Sequence, residues 1–282
     1  MVSSGFQKIG IVGVGLIGGS VARAARAVDP TVSIVGCDID NVARDAVTAG
    51  IIDAVAELDD LAACDLVVLA APISANLAWM DRLAGSSVLV TDVGGAKRQM
   101  NAKATELGAR LAFVGGHPMA GSHRSGFTAA DPELFQGRKW FLVPGPASQA
   151  SDVTRLENWI RALGAVPAVV DANTHDRVMA AVSALPQVTA SVLMAVVGER
   201  VGEEGLAMSG PGLRDTTRLA GSAATWMTDG LAHNSREVAD VIDALITELR
   251  AVRDQLGTPE RVASVFAKAQ AWRRHLAGPA PR

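Results

Sequence analysis

Along the first 170 residues, short runs of β-branched and apolar residues alternate with longer amphipathic stretches. Residues 8–12, 32–37, 66–69, 87–90, 110–114 and 140–143 read as strands, and residues 18–28 as the first helix. These runs are apolar almost throughout, as expected of strands covered by helices on both faces. Strand–helix repetition of this kind predicts a mostly parallel, doubly wound sheet, with ligands beyond the carboxyl ends of its strands.

The pattern changes after residue 172. Val238, Val241, Leu245, Leu249, Val252 and Leu256 recur at three- and four-residue steps, which makes one apolar face on a helix of about six turns. Thr258-Pro259-Glu260 opens another helix with a capping hydroxyl, a proline at the first helical position and an acid for the helix dipole. A sheet domain over 1–171 and an all-α domain over 172–282 follow. No formal charge lies between Arg177 and Glu199, a span that could cross a bilayer. Ser183, Pro186, Gln187, Thr189 and Ser191 are costly in hydrocarbon, so the segment is expected to be a helix buried among other helices.

Composition narrows the class. The formal net charge is −3, with 26 basic and 29 acidic residues, which excludes the uncompensated basic surface that nucleic acid or an anionic membrane requires. Cys37 and Cys64 are too few for a disulfide framework and lack metal-ligand spacing. With no apolar export segment before the first strand, a soluble, metal-free, cytoplasmic protein is expected. The helical domain carries more apolar surface than its length can bury alone, which predicts a homodimer.

The strongest local motif is Gly13-Val-Gly15-Leu-Ile-Gly18, after a strand and opening a helix, with Asp38 at the end of the second strand. This is the dinucleotide fingerprint of a Rossmann-like domain. Gly13 permits the tight turn, Gly15 the approach of a pyrophosphate, and Gly18 close helix–strand packing, while the helix N-terminus supplies free N–H groups. Asp38 suits the adenosine ribose hydroxyls and repels a 2′-phosphate, so NAD is expected over NADP. The expected cofactor contacts are Gly13, Gly15, Leu16, Ile17, Gly18 and Asp38, with Pro72 beyond the 66–69 strand.

A nicotinamide enzyme that oxidises a carbinol needs a proton acceptor, and histidine suits the role. Of His117, His123, His175, His233 and His275, the last two read as solvated or helix-end residues. His117 lies in Gly115-Gly-His-Pro-Met-Ala-Gly-Ser122, directly after a buried strand, and reads either as the catalytic group or as a hydrogen-bonded loop residue. Arg214 and Arg218, four apart and so on one helical face, read either as a clamp for an acidic small-molecule substrate or as a surface turn paired with Asp215.

Taken together, these pieces resemble the prephenate and arogenate dehydrogenase family along nearly the whole chain. The resemblance rests on His117-Pro-Met-Ala-Gly-Ser122 with Ser125-Gly126, His175-Asp176, Ser183-Ala-Leu-Pro186, and Leu213-Arg-Asp-Thr-Thr-Arg218 followed by Trp226 and Asn234. It implies NAD(P)-linked oxidative decarboxylation by a dimer, with His117 as catalytic histidine and Arg218 on a substrate carboxylate. Ser122, Gln187 and Arg214 join Arg218 as expected substrate contacts. The chain departs from the family pattern at Gly95, where a serine is usual, at Ala184 and Gln187, where histidines are usual, and at His123, where an acid is frequent. The loop 117–126 contains no acid to pair a substrate ammonium, and Gln187 can donate to a ketone or carboxylate. The expected substrate is therefore prephenate rather than arogenate.

Overall fold

The structure, a computed structural model, describes residues 5–121, 124–221 and 224–277. Eight strands form one sheet: β1 (Lys8–Val12), β2 (Ser33–Cys37), β3 (Ala54–Val55), β4 (Leu66–Leu69), β5 (Leu89–Asp92), β6 (Ala112–Pro118), β7 (Lys139–Pro144) and β8 (Val166–Val169). Their order is β3-β2-β1-β4-β5-β6-β7-β8. The order reverses between β1 and β4, the switch point where an open α/β sheet leaves a crevice. Helices α1 (Leu16–Val28), α2 (Asp40–Thr48), α3 (Leu58–Ala62), α4 (Ile73–Leu83), α5 (Arg98–Leu107) and α6 (Ala150–Ala162) connect the strands.

Strands β1, β4 and β5 are buried almost throughout, because helices cover both faces. One core packs Ile9, Ile11, Val21, Ile34 and Leu66 with Trp140 and Trp159. The other packs Val12, Val67, Leu69, Val90, Met100 and Phe113.

Every pairing is parallel except β6 with β7, which is antiparallel and aligns His117 with Phe141. This pairing carries β6 through Pro118, so His117 is a strand residue and not the loop residue its glycine neighbours suggest. Gly116 makes the placement possible: a Cβ there would lie 2.3 Å from the Asp92 carbonyl oxygen.

Beyond β8 the described residues form only helices: α7 (Ala172–Met179), α8 (Leu185–Ala207), α9 (Pro211–Thr216), α10 (Ala224–His233), α11 (Ser235–Asp254) and α12 (Pro259–Ala277). A π-helical turn, Ala180–Ala184, joins α7 to α8. Packing divides the chain into compact units between Ser235 and Arg236 rather than near residue 172, and hydrogen bonds tie α7 to β6 and α5, and α10 to α4 and α5.

The uncharged segment departs from expectation. Ala172–Ala207 is long and apolar enough to cross a membrane by length and composition, yet only 11% of its apolar window is buried. Val182, Val192 and Val196 are 57%, 56% and 50% exposed, so the same chain does not surround this helix as expected. Its buried apolar side chains are few, among them Met179 and Ala180 toward its N-terminal end and Ala190 farther along.

Candidate active site

The carboxyl ends of β1, β4, β5 and β6 converge on the crevice, and each contributes a distinct element. At β1, Gly13 has φ +91° and its N–H donates to the Cys37 carbonyl at 2.8 Å. A Cβ at Gly13 would stand 2.6 Å from the backbone of Ala70 and Ala71, and one at Gly18 would stand 2.0 Å from the Gly13 carbonyl oxygen. Only glycine meets both demands. Gly15 is the contrast, since a Cβ there would meet nothing within 4 Å.

Helix α1 then starts at Leu16 with no side-chain cap and no acid in its first turn, so its leading N–H groups, among them those of Leu16 and Ile17, are offered to the open space. Open space at Gly15 above an uncapped helix N-terminus fits a pyrophosphate. The Asp38 carboxylate accepts from the Val14 N–H through Oδ2 and the Ile39 N–H through Oδ1, each at 2.7 Å. These bonds fix the carboxylate at the end of β2 while each oxygen keeps a lone pair for a ribose hydroxyl. Pro72 is the N-cap of α4, and its carbonyl accepts from the Asn76 N–H at 2.9 Å.

At the end of β5, buried Asp92 accepts from the Gly116 N–H at 3.0 Å and the Gly94 N–H at 2.9 Å. It also pairs with the ammonium of Lys97, itself 1% exposed. The lysine stem runs beneath the β6 glycines: a Cβ on Gly115 would lie 3.3 Å from Lys97 Cδ. Burial pulls the Lys97 pKa down, and the Asp92 carboxylate offsets part of that cost.

The Asp171 carboxylate caps α7 by accepting from the Thr174 N–H at 2.9 Å. The helix buries Ala172, His175, Asp176 and Met179 on one face. Asp176 Oδ1 accepts from the Lys97 N–H at 2.7 Å and Oδ2 from the Arg98 N–H at 2.9 Å, so it caps the N-terminus of α5. His175 Nδ1 lies 2.8 Å from Asp176 Oδ1, and His175 Nε2 lies 2.9 Å from His117 Nδ1. The rings of His117 and His175 meet edge to face, and Phe141 packs edge-on against His175.

The free edge of His117 faces Gly95, where a Cβ would stand 3.8 Å from Nε2. Burial, the neighbouring His175 and the Lys97 charge together push the His117 pKa well below 6.5. Burial works to raise the Asp176 carboxyl, but the bonds from His175, Arg98 and Lys97 outweigh it and hold it below the ordinary value.

Two further ties reach this cluster. Asn234 Nδ2 donates to the Asp176 carbonyl at 2.8 Å. Asp229, on α10, accepts from the Ile73 N–H at 2.7 Å and so holds the start of α4 beside Pro72.

Arg214 and Arg218 are both exposed, and neither makes an ion pair with a described residue, so the surface turn paired with Asp215 does not form. Nor do they share one helical face. Helix α9 ends at Thr216, Thr217 turns its hydroxyl back to the Leu213 carbonyl at 2.7 Å, and Arg218 opens a separate 3₁₀ turn, Arg218–Gly221. Gln187 donates to the Leu219 carbonyl at 2.7 Å, which pins that turn to α8. His233 contacts Asp229 and Gln99 rather than solvent alone. Ser122 and His123 lie outside the described residues.

Sequence reasoning singled out His117 but gave no sign of the buried pair Asp92–Lys97 or of the placement of His175 and Asp176 behind His117. Their only trace in the sequence is the spacing in Asp92-Val-Gly-Gly-Ala-Lys97 and the adjacent His-Asp.

Residues 21–169 match the model of the prephenate dehydrogenase nucleotide-binding domain, and residues 171–264 that of the prephenate dehydrogenase dimerization domain. The chain is 34% identical over 256 residues to the prephenate dehydrogenase of Bacillus subtilis, covering 86% of this chain and 68% of that protein. It is 29% identical over 270 residues to the cyclohexadienyl dehydrogenase of Zymomonas mobilis, covering 90% of each. The crystal structure of Aquifex aeolicus prephenate dehydrogenase with hydroxyphenyl propionate and NAD+ superposes with a TM-score of 0.87 at 26% identity, covering 96% of this chain and 98% of that one.

Proposed function

The chain belongs to the prephenate dehydrogenase family, and from that premise we propose that it catalyses the NAD-dependent oxidative decarboxylation of prephenate to 4-hydroxyphenylpyruvate, a step of tyrosine biosynthesis. The observation that carries the reading is His117 at the carboxyl end of β6, in the same crevice as an open glycine cradle, with its Nε2 edge toward Gly95. NAD, when bound, accepts the hydride that leaves C4 of the substrate ring. His117 accepts a hydrogen bond from the C4 hydroxyl and stabilises the positive charge that builds at C4 as the hydride departs. The C1–carboxylate bond breaks, carbon dioxide leaves, and the released electron pair completes the aromatic ring. The C4 oxygen keeps its hydrogen as the phenol of the product. Arg218 supplies a guanidinium for a substrate carboxylate, with Arg214, Gln187 and Ser122 as further substrate contacts.

Asp38 makes NAD the preferred cofactor, and the absence of an acid in the loop 117–126 favours the keto acid over the amino acid arogenate. A single assay tests both statements: NADH or NADPH formation with prephenate and with arogenate, in parallel. The expected order in kcat/KM is prephenate above arogenate and NAD above NADP, with the cofactor gap narrowed in Asp38→Ser. Equal or better turnover of arogenate overturns the substrate assignment, and a wild-type preference for NADP overturns the cofactor assignment.

The functional division is proposed at residues 1–171 and 172–282, with the helical part serving as a homodimerisation element in a cytoplasmic enzyme that uses neither metal nor nucleic acid nor membrane. Exposed Val182, Val192 and Val196 on the α7–α8 run support the homodimer, since an apolar face of this kind marks a surface for a covering partner. Sedimentation at micromolar concentration is expected to give twice the 29.1 kDa chain mass. A monomer at that concentration contradicts the assignment.

A further inference from the structure

We propose that His175 and Asp176 form a closed relay behind His117, which fixes the base in its working tautomer and lends it charge stabilisation without a path for the proton to escape. The inference rests on the reading of His117 as the group that faces the substrate hydroxyl, and it assigns His175 and Asp176 as positioning residues.

Hydrogen-bond bookkeeping gives the tautomer. An ionised carboxylate can only accept, so the 2.8 Å contact between Asp176 Oδ1 and His175 Nδ1 puts the hydrogen on His175 Nδ1. A neutral His175 then has only a lone pair at Nε2. The 2.9 Å contact from that nitrogen to His117 Nδ1 needs one hydrogen, which His117 must supply. His117 therefore carries its hydrogen on Nδ1 and its lone pair on Nε2, the atom nearest Gly95. The reverse assignment, a doubly protonated His175, leaves His117 with a hydrogen on Nε2 and no basic atom toward the crevice. The groups that surround the pair decide between them. The Asp176 carboxylate already accepts two backbone N–H groups at the start of α5, so a neutral N–H from His175 completes its shell without a second charge.

The burial of the relay matches the stoichiometry. Asp176 and His175 are 0% and 1% exposed, so the chain of hydrogen bonds ends inside the protein. An oxidation that leaves a ketone must release a proton to water, and a base of that kind needs an exit. In the proposed reaction the C4–H pair leaves as hydride, the C1–carboxylate pair enters the ring, and the hydroxyl hydrogen stays on oxygen. His117 has only to share that hydrogen while the charge at C4 lasts. A sealed partner that strengthens the hydrogen bond and returns the hydrogen serves such a reaction better than an open one.

The test begins with ¹⁵N-imidazole NMR of the full-length wild type without cofactor, at neutral pH. Hydrogens on Nδ1 of both His117 and His175 are expected; a hydrogen on His117 Nε2 overturns the proposal. In His175→Leu the Nδ1–H preference of His117 is expected to be lost and kcat with prephenate to fall about 10- to 100-fold, with KM little changed. His175→Gln places an amide oxygen where Nε2 sits, so it should restore the tautomer and much of the rate. A folded His175→Leu with unchanged tautomer and rate also overturns the proposal. If that variant fails to fold, the wild-type spectrum and the Gln variant still decide. Absence of prephenate turnover in the wild type defeats the functional reading alone and leaves the tautomer result standing.

Discussion

His117→Asn is expected to lower kcat with prephenate by roughly a hundredfold or more while leaving NAD binding and the fold intact. Asparagine is the informative replacement because its amide nitrogen occupies roughly the place of Nδ1 and can still donate to His175 Nε2, now 2.9 Å from the ring. It cannot share a proton at the Nε2 position, so only the chemical role is removed. The pH profile of the wild type gives the companion measurement. Burial, His175 and Lys97 make charging His117 unfavourable, so the neutral ring persists below the ordinary value of 6.5. Activity requires the neutral ring. The acid limb of kcat/KM, which reports the free enzyme, should therefore lie below pH 6.5 and not at it. Near-normal turnover in His117→Asn, or an acid limb above that value, would show that another group meets the hydroxyl.

The cofactor cradle was legible because its logic is local. Gly18 answers a steric demand made within one strand–turn–helix unit by the Gly13 carbonyl, Gly13 turns the chain with φ +91°, Gly15 leaves the space open, and Asp38 bonds back to the Val14 amide of the same turn. The helical periodicity after residue 234 was legible for the same reason, and α11 and α12 follow it. What the sequence concealed depends on contacts between distant segments. An apolar strand reads alike in either direction, so nothing marked β7 as antiparallel, and without that pairing His117 read as a loop residue. Asp92 and Lys97 are five apart on the chain, but their burial together depends on β6 crossing above them. Asp176 is 79 residues from the Lys97 amide it accepts, a distance that no local pattern encodes. The exposed face of the α7–α8 run shows the converse. Its apolar content was plain, but content alone does not say which chain covers it.

Lys97→Met is expected to cost about 3–5 kcal/mol of stability, the range for removing one partner of a buried ion pair. The loss should fall toward the lower end, because Asp92 keeps its bonds from the Gly94 and Gly116 amides at 2.9 and 3.0 Å. Methionine matches the lysine stem in length, so the apolar contact beneath Gly115 survives and the measured loss reports the charge. Adding Asp92→Asn to this variant removes the stranded carboxylate and should recover ~1–2 kcal/mol, less than the whole because one amide contact is lost. Urea unfolding followed by fluorescence of Trp140 and Trp159, both buried in the sheet domain, reads these differences as shifts in midpoint. The single variant carries a second signature. Removing the Lys97 charge removes one of the causes that depress His117, so the acid limb of kcat/KM should move up toward 6.5. A destabilised Lys97→Met whose pH profile stays where it was would mean that the lysine charge is neutralised by Asp92 before it reaches the base, and that the pair acts on the fold alone.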